Sequence, residues 1–386
     1  MISGKTINLS RIPLSQHDLL QEDLRLIGES IGRGESLHGP DLNTVEEILA
    51  ERTSQGEAIT TATYLDAARI LLMAMDIQTG DEVVLPAFAS GVMTQAVVSV
   101  GATPIYADCH PRTLNINPQS VEACCNSNTR AIIATCIFGN PAGLPQLAAL
   151  CGLLEVPLIE DLAGGLGSTI DRRSAGSFGR ASIVDLGTRT VAGCGEGGAI
   201  CTSDQRTADR CRLLRKGIDL EPLRGEQPGA LGHRSHLTNM QAAMLLPQLQ
   251  RLDEIMESRA LVAAMYTQRL AGVSDVIVPT VDPGTTLGWP EFVLRLDESY
   301  TAEDRNEVVQ GLDRHEIGAA RPWTPPPHRP QVAARLNDPE GEWPVAEFVS
   351  QRTIGLPMYS GLTERDTGLV TQTLELMMQR ATFRRS

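Results

Sequence analysis

Lysine is almost absent from this chain: Lys5 and Lys216 are its only two in 386 residues, and the rest of the 33 basic residues are arginine. Chemistry that runs through an amine nucleophile or an imine therefore has very few candidates, because a guanidinium stays protonated and forms no imine. Aromatic residues are also scarce, at 4%. Positive charge does not dominate: the formal net charge is −14. Phosphate-backbone binding needs clustered Lys and Arg, so nucleic acid is excluded as the expected partner. No run of ~18 apolar residues occurs, which excludes a membrane-spanning helix. The segment from Met1 to Lys5 leads into mixed polar sequence without the apolar run of a secretory leader. The eight cysteines form no C-x-x-C pair and no His/Cys cluster with zinc spacing, so no metal is expected. They read as reduced core thiols of a cytoplasmic protein. Internal repeats and low-complexity linkers are absent as well.

Hydrophobic residues make up 42% of the chain, enough at this length for a large domain and a smaller one. Short apolar runs alternate with helical stretches. Strands are expected at Glu82–Leu85, Thr103–Ala107, Ala131–Cys136, Pro157–Glu160, Ala181–Leu186 and Gly198–Thr202, with helices such as Tyr64–Met75, Gly91–Val100 and Leu144–Leu154 between them. The alternation predicts an α/β fold, a mostly parallel sheet with helices on both faces. Ligands in such sheets bind beyond the carboxyl ends of the strands, which brings the loops after Pro86, Glu160 and Leu186 around one crevice. A long helical stretch from Thr238 to Leu270, kinked at Pro247, leads to a smaller C-terminal domain. There Glu291–Leu296 and Gly318–Arg321 read as strands and Glu364–Gln379 as a final helix. The stretch Pro322–Pro330 reads either as a stiff loop or as a cover for the crevice. The boundaries are an N-terminal segment 1–33, a large domain 34–255 and a small domain 256–386.

Several short motifs recur in order. Thr60-Thr61-Ala62-Thr63 opens a helix, where free N–H groups could hold a phosphate. Gly80 to Pro86 is a turn, a strand and a stop. Ile159-Glu160-Asp161 ends a strand in two carboxylates. Gly195-Glu196-Gly197-Gly198 is a tight turn into a strand, and Thr238-Asn239-Met240-Gln241 starts the long helix. Together, from about Gly34 onward, they resemble the DegT/StrS family of sugar aminotransferases, fold-type I enzymes that use pyridoxal phosphate. The resemblance implies a seven-stranded, mainly parallel large domain, a smaller C-terminal domain and a homodimer. It also implies transfer of an amino group to a nucleotide-linked keto-sugar or a cyclitol.

Such catalysis needs a lysine, an acid on the pyridinium nitrogen, a phosphate cup and a stacking surface. Counting back seven residues from Glu196, the resemblance puts the family's lysine position at Arg189, beside Thr188; a spacing one residue shorter puts it at Thr190, which is no better. The resemblance puts its phosphate serine at Val184, its stacking aromatic at Ser90 and its partner-subunit asparagine at Arg234. The residue three after the acid is Gly164. Asp161, as pyridinium partner, and Thr63 remain. The pattern points to a non-standard, pyridoxal-phosphate-independent enzyme with no covalently bound cofactor. Its small-molecule substrate would be an anionic sugar, cyclitol or related intermediate of antibiotic or surface-sugar biosynthesis. Arg189 and Arg234 could clamp an anion, and Asp161, His236 or His328 could handle protons. Alternatively Arg189 is a filler paired with Asp161 or Asp185. Two other readings stay open: a non-enzymatic partner that forms a heterodimer with an active paralogue, and a dehydratase-like enzyme using free pyridoxamine phosphate or pyridoxal phosphate. Asp66, inside an otherwise apolar helix, has no account from sequence.

Overall fold

Every residue of the strand Glu82–Pro86 beyond the first is buried, and its side chains divide between two cores: Val83 and Leu85 face one, Val84 the other. A strand buried on both faces is the signature of a parallel sheet covered by helices on each side. The computed structural model describes residues 11–33, 39–216, 232–323, 326–327 and 342–383. The chain runs through α1 (Gln21–Gly32), α2 (Pro40–Thr53), β1 (Glu57–Thr61), α3 (Tyr64–Ala74), β2 (Glu82–Pro86), α4 (Val92–Ser99), β3 (Thr103–Ala107), α5 (Pro118–Cys124) and β4 (Thr129–Thr135). It continues through α6 (Leu144–Leu154), β5 (Leu158–Leu162), the short β6 (Thr169–Ile170) and β7 (Arg173–Ser174), β8 (Ala181–Asp185), β9 (Gly198–Thr202) and α7 (Gln205–Lys216).

Seven of these strands make one sheet in the order β1-β9-β8-β5-β4-β2-β3. Only β9 runs antiparallel to its neighbours. This is the mainly parallel α/β sheet expected from the alternation of apolar runs. The strands Thr103–Ala107 and Gly198–Thr202 and the helix Leu144–Leu154 lie where the sequence put them.

Beyond α7 come α8 (Asn239–Gln250) and α9 (Leu252–Leu270), then β10 (Val276–Ile277), β11 (Thr285–Thr286), β12 (Phe292–Leu296) and α10 (Ala302–Arg314). A helix over Pro344–Ser350, β13 (Thr353–Leu356) and a final helix over Glu364–Phe383 close the chain. The stretch expected to kink at Pro247 is instead two helices that meet at Arg251. Pro247 stays inside α8, and its carbonyl still accepts the Arg251 amide at 3.2 Å. Early α9 (Leu252, Ile255, Met256) packs in a core of the large sheet. Late α9 (Val262, Tyr266, Leu270) packs in a separate C-terminal core with β12 and β13. Gly318–Arg321 is not a strand: Ala320 makes a single bridge to Gly355, and Ile317, just before it, makes another to Ile12. The described part of the N-terminal segment packs on the C-terminal half. Ile12 sits in the C-terminal core, and Arg259 of α9 donates to Asp18 at 2.8 Å in a buried ion pair.

No described helix is long and apolar enough to cross a membrane. Among the described residues the cysteines are unpaired, and no group of His, Cys, Asp or Glu could hold a metal.

Candidate active site

At the carboxyl end of the parallel strands lies a cavity of about 180 Å³, the place where open α/β sheets bind ligands. Large-domain loops contribute Ser90 after β2, Cys136 and Phe138 after β4, Ala163 and Gly164 after β5, and Arg189 after β8. Tyr64 enters from the first turn of α3, and Asp185 from the last position of β8. Pro290, Glu291 and Trp323 close it from the C-terminal side.

Behind two of its lining residues, Tyr64 and Thr135, lies Asp161. The carboxylate is buried, and protein donors engage both oxygens. The Tyr64 hydroxyl and the Ala163 amide (3.0 Å) donate to Oδ1, and the Thr135 hydroxyl donates to Oδ2 at 2.7 Å. Parallel pairing places Thr135 beside Asp161 across β4 and β5. Burial pushes the Asp161 carboxyl up, opposed by these three hydrogen bonds. Burial and the neighbouring Asp161 push the Tyr64 phenol well above its usual range, so it remains a donor.

Asp185 is a site residue that none of the sequence motifs singles out. Residues of a strand alternate between faces. Ile183 packs in the crevice-side core, Val184 in the opposite one, and Asp185 returns to the crevice. The hydrogen-bonding serine of the resemblance, placed at Val184, is thus not replaced there by a crevice residue; the side chain of this strand that faces the crevice is a carboxyl. Burial pushes Asp185 up to about 7, offset by the Gly187 amide at 2.8 Å and reinforced by Asp161 and Glu196. A carboxyl raised in the folded state keeps a proton that the unfolded chain, with an ordinary value near 3.9, has already lost. Its contribution to stability therefore falls as pH rises from about 4 to about 7 and is level beyond, with a slope of up to about 1.4 kcal/mol per pH unit. Asp185→Asn is expected to remove that slope and to gain on the wild type at pH 8. Melting temperatures across pH 4–9 check this, and identical profiles would contradict it.

Arg189 does line the cavity, but it pairs with neither Asp161 nor Asp185. Its Nη2 donates to Glu291 Oε1 at 2.6 Å. Glu291 immediately precedes β12, so the pair joins the two halves of the crevice. Burial raises the Glu291 carboxyl and Arg189 opposes the shift. Pro290 explains Gly164: a Cβ there would lie 2.7 Å from the proline ring. On the other wall Phe138 and Trp323 stack at 4.7 Å and 4°, and Phe88 meets Trp323 edge-on at 5.0 Å. Phe138 (φ 51°) and Trp323 (φ 45°) both hold a left-handed backbone that bulky residues avoid. The proline-rich stretch that begins at Pro322 thus brings Trp323 over the crevice; the part of it that includes His328 lies outside the described residues.

The remaining expected residues are scattered. Ser90 lines the cavity, and Thr188 is exposed beside it. Thr63 caps α3, its hydroxyl accepting the Asp66 amide at 3.0 Å. Arg234 and His236 do not line the cavity. Burial alternates along this segment: Ser235 and Leu237 turn inward, so Arg234 faces solvent and His236 is half-buried. Within one chain Arg189 and Arg234 do not meet; the resemblance gives Arg234 to the site of a partner subunit. Ser235 reaches the start of α3 instead. Its hydroxyl donates to Asp66 Oδ2 at 2.8 Å and accepts the Ala62 amide at 3.0 Å, while Arg69 lies 3.5 Å from Asp66. Gly197 and Gly198 are packing requirements, since a Cβ at Gly198 would lie 2.7 Å from the Thr63 carbonyl. Lys216 ends α7 on the surface.

A model of the DegT/DnrJ/EryC1/StrS aminotransferase family matches residues 18–375. The chain is 29% identical to a pleiotropic regulatory protein of Geobacillus stearothermophilus, over 95% of this chain and 97% of that protein. It is also 29% identical to a UDP-2-acetamido-2-deoxy-3-oxo-D-glucuronate aminotransferase of Pseudomonas aeruginosa, over 84% and 88%. Among solved structures it is similar to S. venezuelae DesV in complex with a ketimine intermediate. The TM-score is 0.84 at 27% identity, covering 96% of this chain and 98% of that one.

Proposed function

The chain belongs to the DegT/DnrJ/EryC1/StrS aminotransferase family, and from that premise we propose that it is a member that does not transaminate and works without pyridoxal phosphate. It binds a small, hydroxyl-rich sugar or cyclitol in the crevice. The observation that carries the reading is Arg189, which the resemblance puts at the family's lysine position: its guanidinium lines the cavity and is ion-paired to Glu291. The other contacts a cofactor needs are taken as well. Asp161 has protein donors on both oxygens, and the crevice residue of β8 is a carboxyl that repels phosphate. The group fits poorly here. Free pyridoxamine phosphate is disfavoured on the same grounds.

Charge also revises the substrate. Among the described residues of this chain, the one arginine lining the cavity is neutralised by Glu291, while Asp185 lines it and Asp161 lies behind Tyr64 and Thr135. A neutral, hydroxylated ring fits this balance better than an anion. The cavity is small beside the roughly 300–1,000 Å³ of drug-sized sites, so it takes one ring and leaves any nucleotide outside. The ring's apolar face packs on the Phe138–Trp323 wall, and the backbone strain at both aromatics is of the kind that collects at functional sites. Asp185, near neutrality, exchanges a proton with a substrate hydroxyl through the carboxyl oxygen that the Gly187 amide leaves free.

Saturation-transfer NMR with myo-inositol, glucose and UDP-N-acetylglucosamine tests this. Binding of at least one is expected, weakened about tenfold or more in Trp323→Ala. Asp185→Asn is expected to leave binding within about threefold. A second reading, a non-enzymatic partner of an active paralogue, is favoured by the degree to which the polar groups of the crevice satisfy one another. Silence toward all three probes, together with a stable heterodimer on co-expression with a lysine-bearing paralogue, would replace the first reading with the second.

A further inference from the structure

Tyr64 and Asp66 both lie in the first turn of α3: Tyr64 lines the cavity, and Asp66 sits at the helix start outside that lining. Tyr64 is buried, and its hydroxyl donates to Asp161. That is the hydrogen bond a pyridinium N–H would make, delivered by a ring of similar size and flatness. Asp66 lies in the first turn of the same helix. Its carboxylate accepts from Ser235, whose hydroxyl also occupies the Ala62 amide, and its own amide is capped by Thr63. A helix start attracts anions through its free amides and its dipole. Here an internal carboxylate stands beside the helix start, and two of the local amides, those of Ala62 and Asp66, are already engaged by Ser235 and Thr63.

We propose that the chain carries an internal replica of the cofactor, with the Tyr64 phenol in the place of the pyridine ring and the Asp66 carboxylate in the place of the phosphate. One short segment provides both ends. This accounts for an acidic residue in a helix that is otherwise apolar on its core face. It also accounts for the retention of Asp161 without a lysine to accompany it: the acid now anchors a side chain. The inference rests on the reading that the crevice works without pyridoxal phosphate, and it adds that the site is closed by its own residues rather than merely stripped of ligands.

The two ends can be opened separately. Tyr64→Ala empties the ring position and is titrated calorimetrically with pyridoxamine. Asp66→Ser frees the helix start without touching the core and is titrated with inorganic phosphate. The double variant is titrated with pyridoxamine phosphate. Each variant is expected to bind its probe at least tenfold more tightly than the wild type, and the double variant at least a hundredfold. Should Tyr64→Ala fail to fold, the Asp66→Ser arm decides alone. Wild type and folded variants all failing to bind would overturn the replica and leave the cofactor-independent reading standing. Wild type binding pyridoxamine phosphate as tightly as the double variant would overturn both.

Discussion

Arg189→Lys is expected to leave the protein colourless and its transamination from glutamate at background. Restoring the missing amine repairs only one of the defects. The ring position is still held by Tyr64, and the oxygens of Asp161 are still engaged by protein donors. The new ammonium would also inherit Glu291, which faces position 189 from beside β12. A nearby carboxylate favours the charged form of an amine, whereas imine formation needs the neutral one. Combining Arg189→Lys with Tyr64→Ala and Asp66→Ser is expected to produce a visible cofactor band that survives desalting. The single variant turning yellow and transaminating would mean that Tyr64 and Asp66 are no obstacle.

Glu160→Ala is expected to cost on the order of 3–5 kcal/mol of unfolding free energy, the change most damaging to the fold. Glu160 is fully buried, and its carboxylate accepts the amides of Gly176, Phe178 and Gly179, each at 2.6 Å. Truncation would leave three donors without an acceptor. Each buried, unsatisfied group costs roughly 1–3 kcal/mol, with partial relief where water enters. Domains commonly have only about 5–15 kcal/mol in total, so the variant would be marginal at 37 °C. The loss also reaches the site, because this turn delivers the chain to β8, and β8 ends in Asp185 and the loop of Arg189. Urea denaturation checks it, and a loss below about 1 kcal/mol would show that the turn holds itself.

The sheet was legible because its cause is local. Strands such as Ala131–Cys136 are apolar on both faces, and the stops at Pro86 and Asp161 mark the ends where ligands bind. The crevice was legible only where the resemblance named a position. Arg189 and Ser90 line it, and Asp161 holds two residues that do, Tyr64 and Thr135. The partner of Arg189 was not legible, because Glu291 comes from the other half of the chain and no periodicity links the two. Asp185 could have been found: counting by twos from Ile183 puts it on the crevice face and Val184 on the other. Tyr64 was hidden by a helix-start reading that attended to Thr63 and to backbone amides rather than to the large side chain beside them. Asp66 was seen as out of place, but its explanation needs Ser235, which only the folded chain brings to it. Within one chain the inward turn of Ser235 and Leu237 sends Arg234 and His236 away from this cavity, a placement that only the folded chain shows.

The visible absorbance spectrum of the purified wild-type protein, after incubation with excess pyridoxal phosphate or pyridoxamine phosphate and desalting, tests the central claim most directly. A protein without retained cofactor is expected, since the ring and phosphate positions are held by its own side chains. A stoichiometric cofactor band on the wild type would contradict this and would return the chain to the cofactor-dependent chemistry of its family.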